Sequence, residues 1–191
     1  LNSWLICSMR KVIECCDLRC QGKSPRGTIV LHRQRLLKLI ESYESEFPDE
    51  QKTVLRLRRF VSDNSQCFER ELLLGHITGS AWVVDKVFEK TLLTHHKKLN
   101  RWLQPGGHAD GNPNVADVAM REAKEESGLG KLVLLSDEIF DVDVHLIPAR
   151  QKEPAHYHFD CRFLICCQGD ETYSVSDESH DLAWVPLTDI R

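Results

Sequence analysis

Gly107-His108-Ala109-Asp110-Gly111-Asn112-Pro113-Asn114, running on to Arg121-Glu122-Ala123-Lys124-Glu125-Glu126-Ser127-Gly128-Leu129, reads as a glycine-rich loop feeding a short helix. Helical spacing of i, i+3 and i+4 puts Glu122, Glu125 and Glu126 on one side within a turn of each other. Like charges so placed destabilise a helix by roughly 0.2–0.5 kcal/mol per pair and raise one another's pKa, so a compensating cation is expected. Carboxylate oxygens suit a hard divalent ion. Mg2+ takes a few carboxylates, keeps several waters and binds where a phosphate completes its shell. An acidic face alone is also what a solvated helix shows, with Arg121 and Glu125 as an ordinary i,i+4 pair and Lys124 among the acids. The spacing of the whole stretch separates the two readings.

That spacing resembles the Nudix box, G-x5-E-x7-R-E-U-x-E-E-x-G-U with U an aliphatic residue. Gly107, Arg121, Glu122, Glu125, Glu126, Gly128 and Leu129 match, and Ala123 fits the first U as a small member of the class. The box covers roughly an eighth of the chain. Around it, Trp102-Leu103-Gln104-Pro105-Gly106-Gly107-His108-Ala109-Asp110 and Gly75-His76-Ile77-Thr78-Gly79-Ser80-Ala81-Trp82-Val83-Val84 are similar to a bacterial, MutT-like subgroup of that family, a likeness running from about Leu36 to Ile190. The resemblance implies an α/β/α sandwich around a mixed sheet. It also implies hydrolysis of a nucleoside diphosphate linked to another moiety, with Mg2+, or Mn2+, as cofactor.

One position departs from the pattern: Pro113 stands where the box has its first glutamate, and no residue from Asp110 to Asn114 supplies one. In the family that carboxylate helps hold the loop and the box arginine, so its loss bears on the orientation of Arg121 more than on metal binding. Asn112 followed by Pro113 reads as an N-cap with proline at the first helical position, and Asp117 adds a first-turn charge favourable to the dipole.

By the same resemblance, Glu122, Glu125, Glu126 and the Gly107 carbonyl are the metal ligands, and Arg121 positions the glutamates. The general base lies outside the box in several family members; Glu178 is the candidate here, with His180 behind it. Asp177 and Asp181 flank both, as an acidic solvent loop would. Candidate substrate contacts are Arg101, Gln104, His108, Asp143, His158 and Asp160. A catalytically impaired domain that binds nucleotides or regulates is the alternative function, and Pro113 is the feature favouring it.

With 191 residues the chain suits one α/β domain plus an extension. A net charge of -4 argues against nonspecific nucleic-acid binding, RNA-end hydrolysis included, which needs a basic groove. The expected partner is a small nucleotide-type molecule. No apolar run reaches membrane-spanning length, and Trp4-Leu5-Ile6-Cys7 lacks the flanks of a signal-peptide core, so a cytoplasmic location without membrane association is expected. Eight cysteines include no C-x-x-C pair, which makes reduced thiols the default reading over zinc or disulfides.

Three segments are expected: an extension of no assigned role over 1–27, a helical hairpin over 28–70 and the catalytic domain over 71–191. Leu36, Leu37, Ile40 and Tyr43, then Val54, Leu55, Leu57, Phe60 and Val61, set the two helices around Phe47-Pro48-Asp49. The hairpin covers the sheet, forms a dimer contact or lids the site. Strands are expected at 77–84, 92–95, 139–147 and 157–167, with weaker candidates at 173–176 and 183–185. Family members usually continue past the position of Arg191 into another helix. If nothing follows here, exposed apolar sheet surface would favour a homodimer.

Polar residues recur at period two in two strands: Asp141, Asp143 and His145, then His156, His158, Asp160 and Arg162. They line a cleft that holds sugar, base or phosphate, or form the solvent face of a hairpin, or, as His-x-His-x-Asp, ligate a transition metal. Upstream, His95, His96, Lys97, Lys98 and Arg101 form a basic patch able to attract a diphosphate. Trp102 stacks on a base or belongs to the core, and Trp184 reads as structural.

Overall fold

The computed structural model describes residues 33–150 and 153–190. The extension at 1–27, with Cys7, Cys15, Cys16 and Cys20, lies outside the described residues. Helix α1 (Gln34–Glu46) buries Leu36, Ile40 and Tyr43. A 3-10 turn at Pro48–Glu50 reverses the chain into α2 (Gln51–Asp63), which buries Val54, Leu57, Phe60 and Val61. Proline at the head of that turn ends the first helix, because it has no N–H to donate. The Tyr43 hydroxyl donates to Glu50 at 2.5 Å and Arg58 pairs with Glu44 at 2.6 Å, closing the hairpin.

Among the described residues, eight strands make one sheet: β1 (Gly75–Asp85), β2 (Lys90–His96), β3 (Arg101–Leu103), β4 (Gly106–His108), β5 (Leu132–Leu134), β6 (Asp141–Ile147), β7 (His156–Cys167) and β8 (Ser179–Pro186). Helix α3 (Val115–Ser127) follows β4. The spine is the parallel pair β1 and β7, in register from Gly75 opposite Tyr157 to Asp85 opposite Cys167. Every other pairing is antiparallel, which makes the sheet mixed: β4 and β2 on β1, β3 and β8 on β2, β5 and β6 on β7.

Alternation along β1 and β7 separates two faces. Ile77, Ala81 and Val83 of β1, with Phe159, Cys161, Phe163, Ile165 and Cys167 of β7, share one apolar core with α1, α2 and α3. Phe60 of α2 stacks on Phe159 with ring centroids 3.8 Å apart, and the Arg56 guanidinium lies 4.0 Å over the Tyr157 ring. The hairpin therefore packs on the sheet and belongs to the same core. On the other face, Trp82, Val84, Leu164 and Cys166 meet Phe140 and Leu187 in a second cluster. The remaining β1 and β7 residues of that face, His76, Thr78, Ser80, His158, Asp160 and Arg162, are polar.

Two expectations are corrected, and one of the two readings of Trp102 is excluded. Residues 173–176 form no strand: the Ser174 N–H donates to Ser127 O at 2.8 Å, so the segment covers the end of α3 without a ladder partner. Helix α3 starts at Val115 with Asn114 as N-cap, not at Pro113 after Asn112; Asn112 Oδ1 instead accepts the Asn114 N–H at 2.9 Å, a local turn that delays the helix. Trp102 is outside the core, 44% exposed, and stacks on His95 at 5.1 Å. The last strand is longer than its weak pattern suggested because β2 supplies a full-length partner. Cys67, Cys161 and Cys167 are free buried thiols, Cys166 is buried beside them, and burial lifts Cys67 to about 11.

Replacing Phe60 by Ala should lower stability by about 3–5 kcal/mol, since it leaves a cavity between α2 and the sheet. A single urea transition shifted by that amount is the expected result. Loss of α1 and α2 signal alone, with the sheet transition unmoved, would show that the hairpin is not part of one cooperative core.

Candidate active site

Small residues let α3 lie flat on the sheet. Ala116, Ala119 and Ala123, with Val115 and Val118, are buried, and the same side of the helix carries Glu126 in its last turn, only 8% exposed. Its Oε1 accepts the Gly106 N–H at 2.8 Å. Glu122, one turn earlier, lies against Gly107: a Cβ there would sit 2.6 Å from the Glu122 carboxyl carbon, so only glycine admits that side chain. Gly128 ends the helix in the left-handed conformation, φ 67°, with its N–H on Lys124 O. Glu125 is at the rim, its side chain 64% exposed. The three glutamates thus share a helix side, and two of them are pressed onto the glycine strand.

Arg121 ties these parts together. Its Nη2 donates to Glu122 Oε1 at 2.6 Å and to the His108 carbonyl at 3.0 Å, and its Nε lies 3.9 Å from Glu125. The missing box glutamate therefore leaves Arg121 with three partners from β4 and its own helix. The loop where Pro113 sits is braced separately. Arg70 grips Asp110 through two bonds of 2.5 Å, and Asp110 and Gly111 take positive φ.

Burial dominates the electrostatics. Desolvation, with Glu122 and Glu178 adding like charge, lifts Glu126 to about 7 against the opposing Gly106 N–H and Thr94 hydroxyl. Glu122 is also raised by burial, opposed by Arg121, with Glu125 and Glu178 adding to the rise. Glu178, in the turn before β8, adds like charge to both box carboxylates, and its carbonyl accepts the Lys97 N–H at 3.0 Å. His180 faces elsewhere, 5.2 Å from the His95 ring beside Trp102. Oxygen donors whose negative charge is incompletely offset are the chemistry a hard divalent cation fits. Glu122, Glu126 and the backbone of Gly107 could hold one.

The polar face of the sheet adjoins this site across β4. In register on it stand His76, Thr78 and Ser80 of β1, His158, Asp160 and Arg162 of β7, and His145, Asp143 and Asp141 of β6. Asp160 is buried and accepts the hydroxyls of Thr78 at 2.8 Å and Ser80 at 2.5 Å. Arg162, also buried, bonds Asp141 and lies 3.6 Å from Asp160. The Gln104 amide oxygen, turned toward that guanidinium, accepts from Nε at 3.2 Å and Nη2 at 3.0 Å. Asp143 pairs with His145 at 2.9 Å, each half-exposed, which lowers the carboxyl pKa and raises the imidazole pKa. Arg101 is exposed on β3, and Lys97 is turned to the Asp177 carbonyl at 2.8 Å.

Sequence reasoning passed over Thr94, Gly106 and the β1 row of His76, Thr78 and Ser80. Only the last carried a signal: polar residues at period two inside an otherwise apolar strand.

The NUDIX domain model matches residues 78–191, so the chain belongs to the Nudix family, whose members it joins as a hydrolase of pyrophosphate bonds. Comparison with curated proteins gave no match. Similar solved structures include a Clostridium perfringens NUDIX-family hydrolase, 29% identical over 60% of this chain and 83% of that one with a TM-score of 0.46. A MutT NUDIX hydrolase from Burkholderia pseudomallei is 23% identical over 61% and 87%, TM-score 0.46. An Ap4A hydrolase from C. elegans is 19% identical over 59% and 81%, TM-score 0.45.

The raised Glu126 pKa makes the metal-free fold sensitive to pH. The folded state holds a proton that the unfolded chain releases, so this group's contribution is intact below pH 4.5 and is lost as pH rises through about 7. In EDTA, the Tm of the wild type should fall across that window and that of Glu126→Gln should fall less. Parallel curves would refute the assignment.

Proposed function

We propose that the protein hydrolyses the diphosphate linkage of a nucleoside diphosphate derivative by attack of water on phosphorus. The observation that carries this reading is the pair of carboxylates, Glu126 buried and Glu122 largely so, pressed onto the Gly106-Gly107 backbone. Mg2+, or Mn2+, bound there would neutralise diphosphate oxygens and acidify a water. Glu122, Glu125, Glu126 and the Gly107 carbonyl would hold it, with Glu125 turning inward from the rim.

Arg121 keeps Glu122 in place and anchors α3 to β4 through the His108 carbonyl, so both carboxylates meet substrate in one geometry. Glu178, the residue outside the box whose charge acts on both glutamates, accepts the proton of the attacking water. The polar wall supplies recognition. Gln104 and Asp143 contact the substrate there, His108 and His158 line the same wall, and Arg101 draws the anion from solvent. Asp160, whose oxygens are engaged by Thr78 and Ser80, orders the wall from below.

A screen of nucleoside diphosphate derivatives with Mg2+ and Mn2+, read by released phosphate products, tests the reaction. Carried out in 18O-water, it should place the label on a phosphate product, as attack on phosphorus requires. Glu126→Gln should cost roughly 10²-fold or more in turnover with the far-UV CD spectrum unchanged, since it removes a charge but little volume. Hydrolysis at the wild-type rate in that variant would overturn the site. Pro113 favours a second reading, a nucleotide-binding module. Thermal stabilisation by nucleotides with no turnover on any substrate would select it.

A further inference from the structure

Three histidines from three strands converge on the polar face of the sheet, on the side of β4 away from Glu122. Register places His158 of β7 directly beside His76 of β1, and His108 of β4 opposite Thr78, two residues along from His76. Ring centroids are 4.8 Å apart for His76 and His108, 4.9 Å for His76 and His158, and 5.1 Å for His108 and His158. One ligand nitrogen from each ring lies within 4.8 Å of the other two.

His76 is only 3% exposed, yet neither of its ring nitrogens has a hydrogen-bond partner, and the Nε2 of His158 is likewise buried without one. An imidazole always presents at least one N–H, and its second nitrogen is a lone pair or another N–H. Buried polar atoms are nearly always satisfied, so three orphans at one spot mark a missing partner. Hydrogen bonds among the rings do not supply it. An anion would need charged rings, which burial of the His76 ring and of His158 Nε2 out of water disfavours. Converging neutral imidazoles call for a cation that accepts nitrogen lone pairs.

We propose that His76, His108 and His158 form a binding site for a divalent transition ion of the Zn2+ class, separate from the carboxylate site. Imidazole nitrogen suits Zn2+, Fe2+, Co2+ and Ni2+ and is a poor match for Mg2+, whereas the glutamate oxygens have the opposite preference. Tetrahedral coordination at ordinary Zn–N lengths spaces the nitrogens about 3.3 Å apart, so small rotations draw the three rings onto an ion. Two further histidines ring the site with one nitrogen already held. His145 Nδ1 bonds Asp143 and His156 Nδ1 bonds the Pro154 carbonyl, both at 2.9 Å. Their rings lie 5.5 and 5.3 Å from that of His158. The sequence pattern His156-x-His158-x-Asp160 shares only His158 with this set, because the oxygens of Asp160 are taken up by Thr78 and Ser80. An ion here would clamp the start of β1, the start of β7 and the end of β4.

The test uses the full chain, stripped with EDTA, then titrated with Zn2+ or Co2+ against a chromogenic chelator. Metal content after gel filtration, Tm and the visible Co2+ spectrum are the readouts. We expect one ion per chain, a raised Tm, and Co2+ bands without the thiolate charge-transfer feature that cysteine ligation gives. His158→Gln and His108→Gln should each weaken binding about 100-fold or more while circular dichroism shows the native fold. Glu126→Gln should bind Zn2+ as the wild type does, which separates this site from the proposed hydrolytic one. The proposal is overturned by sub-stoichiometric binding, by unchanged affinity in both histidine variants, or by a thiolate signature on Co2+.

Discussion

Two carboxylates held out of water against a glycine backbone are the constraint around which this protein is arranged. Glu126 and Glu122 can lie there only if α3 sits close to the sheet, and the alanines at 116, 119 and 123 allow that approach. Gly107 must lack a side chain because Glu122 fills the space, and the Gly106 N–H must point at Glu126 because a buried carboxylate needs a donor. Burial disfavours the charged form of both side chains, as the raised pKa of each glutamate records, and the Gly106 N–H opposes that rise at Glu126.

The proline in the box shows how the remaining structure takes over a lost contact. Without a carboxylate at 113, Arg121 is oriented by the His108 carbonyl and by Glu122, and the loop conformation is fixed by Arg70 on Asp110 and by the Asn112 turn. Arg70 lies between the helical hairpin and β1, so support for the box loop comes from outside the box itself. This distribution of contacts is why the helix begins two residues later than its proline implies.

Local patterns in this chain were readable where the physics is local. The 3.6 period of Leu36, Ile40 and Tyr43, the β-branched run in β1 and the i, i+3, i+4 glutamates each report a face that a single element buries. What required coordinates was long-range pairing. Residues 173–176 look like a strand until the absence of a ladder partner is seen, and Trp102 looks like core until β3 proves to carry it on an exposed edge. The polar rows of β6 and β7 were legible as rows. Their partner row on β1 was not, because His76, Thr78 and Ser80 stand among residues that read as continuous core, and only the parallel register with β7 puts them against Asp160 and His158. Within those rows the sequence likewise cannot distinguish Asp143, half-exposed beside His145, from Asp160, whose two oxygens accept hydroxyls from Thr78 and Ser80.

Strand β4 is three residues long, and its alternation does the work of a partition. Gly107 looks toward α3 and its carboxylates; His108 looks toward the histidines of β1 and β7. Consecutive residues on a strand necessarily point to opposite faces, so oxygen donors and nitrogen donors are kept apart by backbone geometry alone. The separation matters chemically. Transition ions bind mixed N/O sets more tightly than Mg2+ does, so glutamates and histidines on one face would form a single site from which Mg2+ is displaced. On either side of β4 each donor set keeps its own preference, and Arg121 bonds the His108 carbonyl from the carboxylate side.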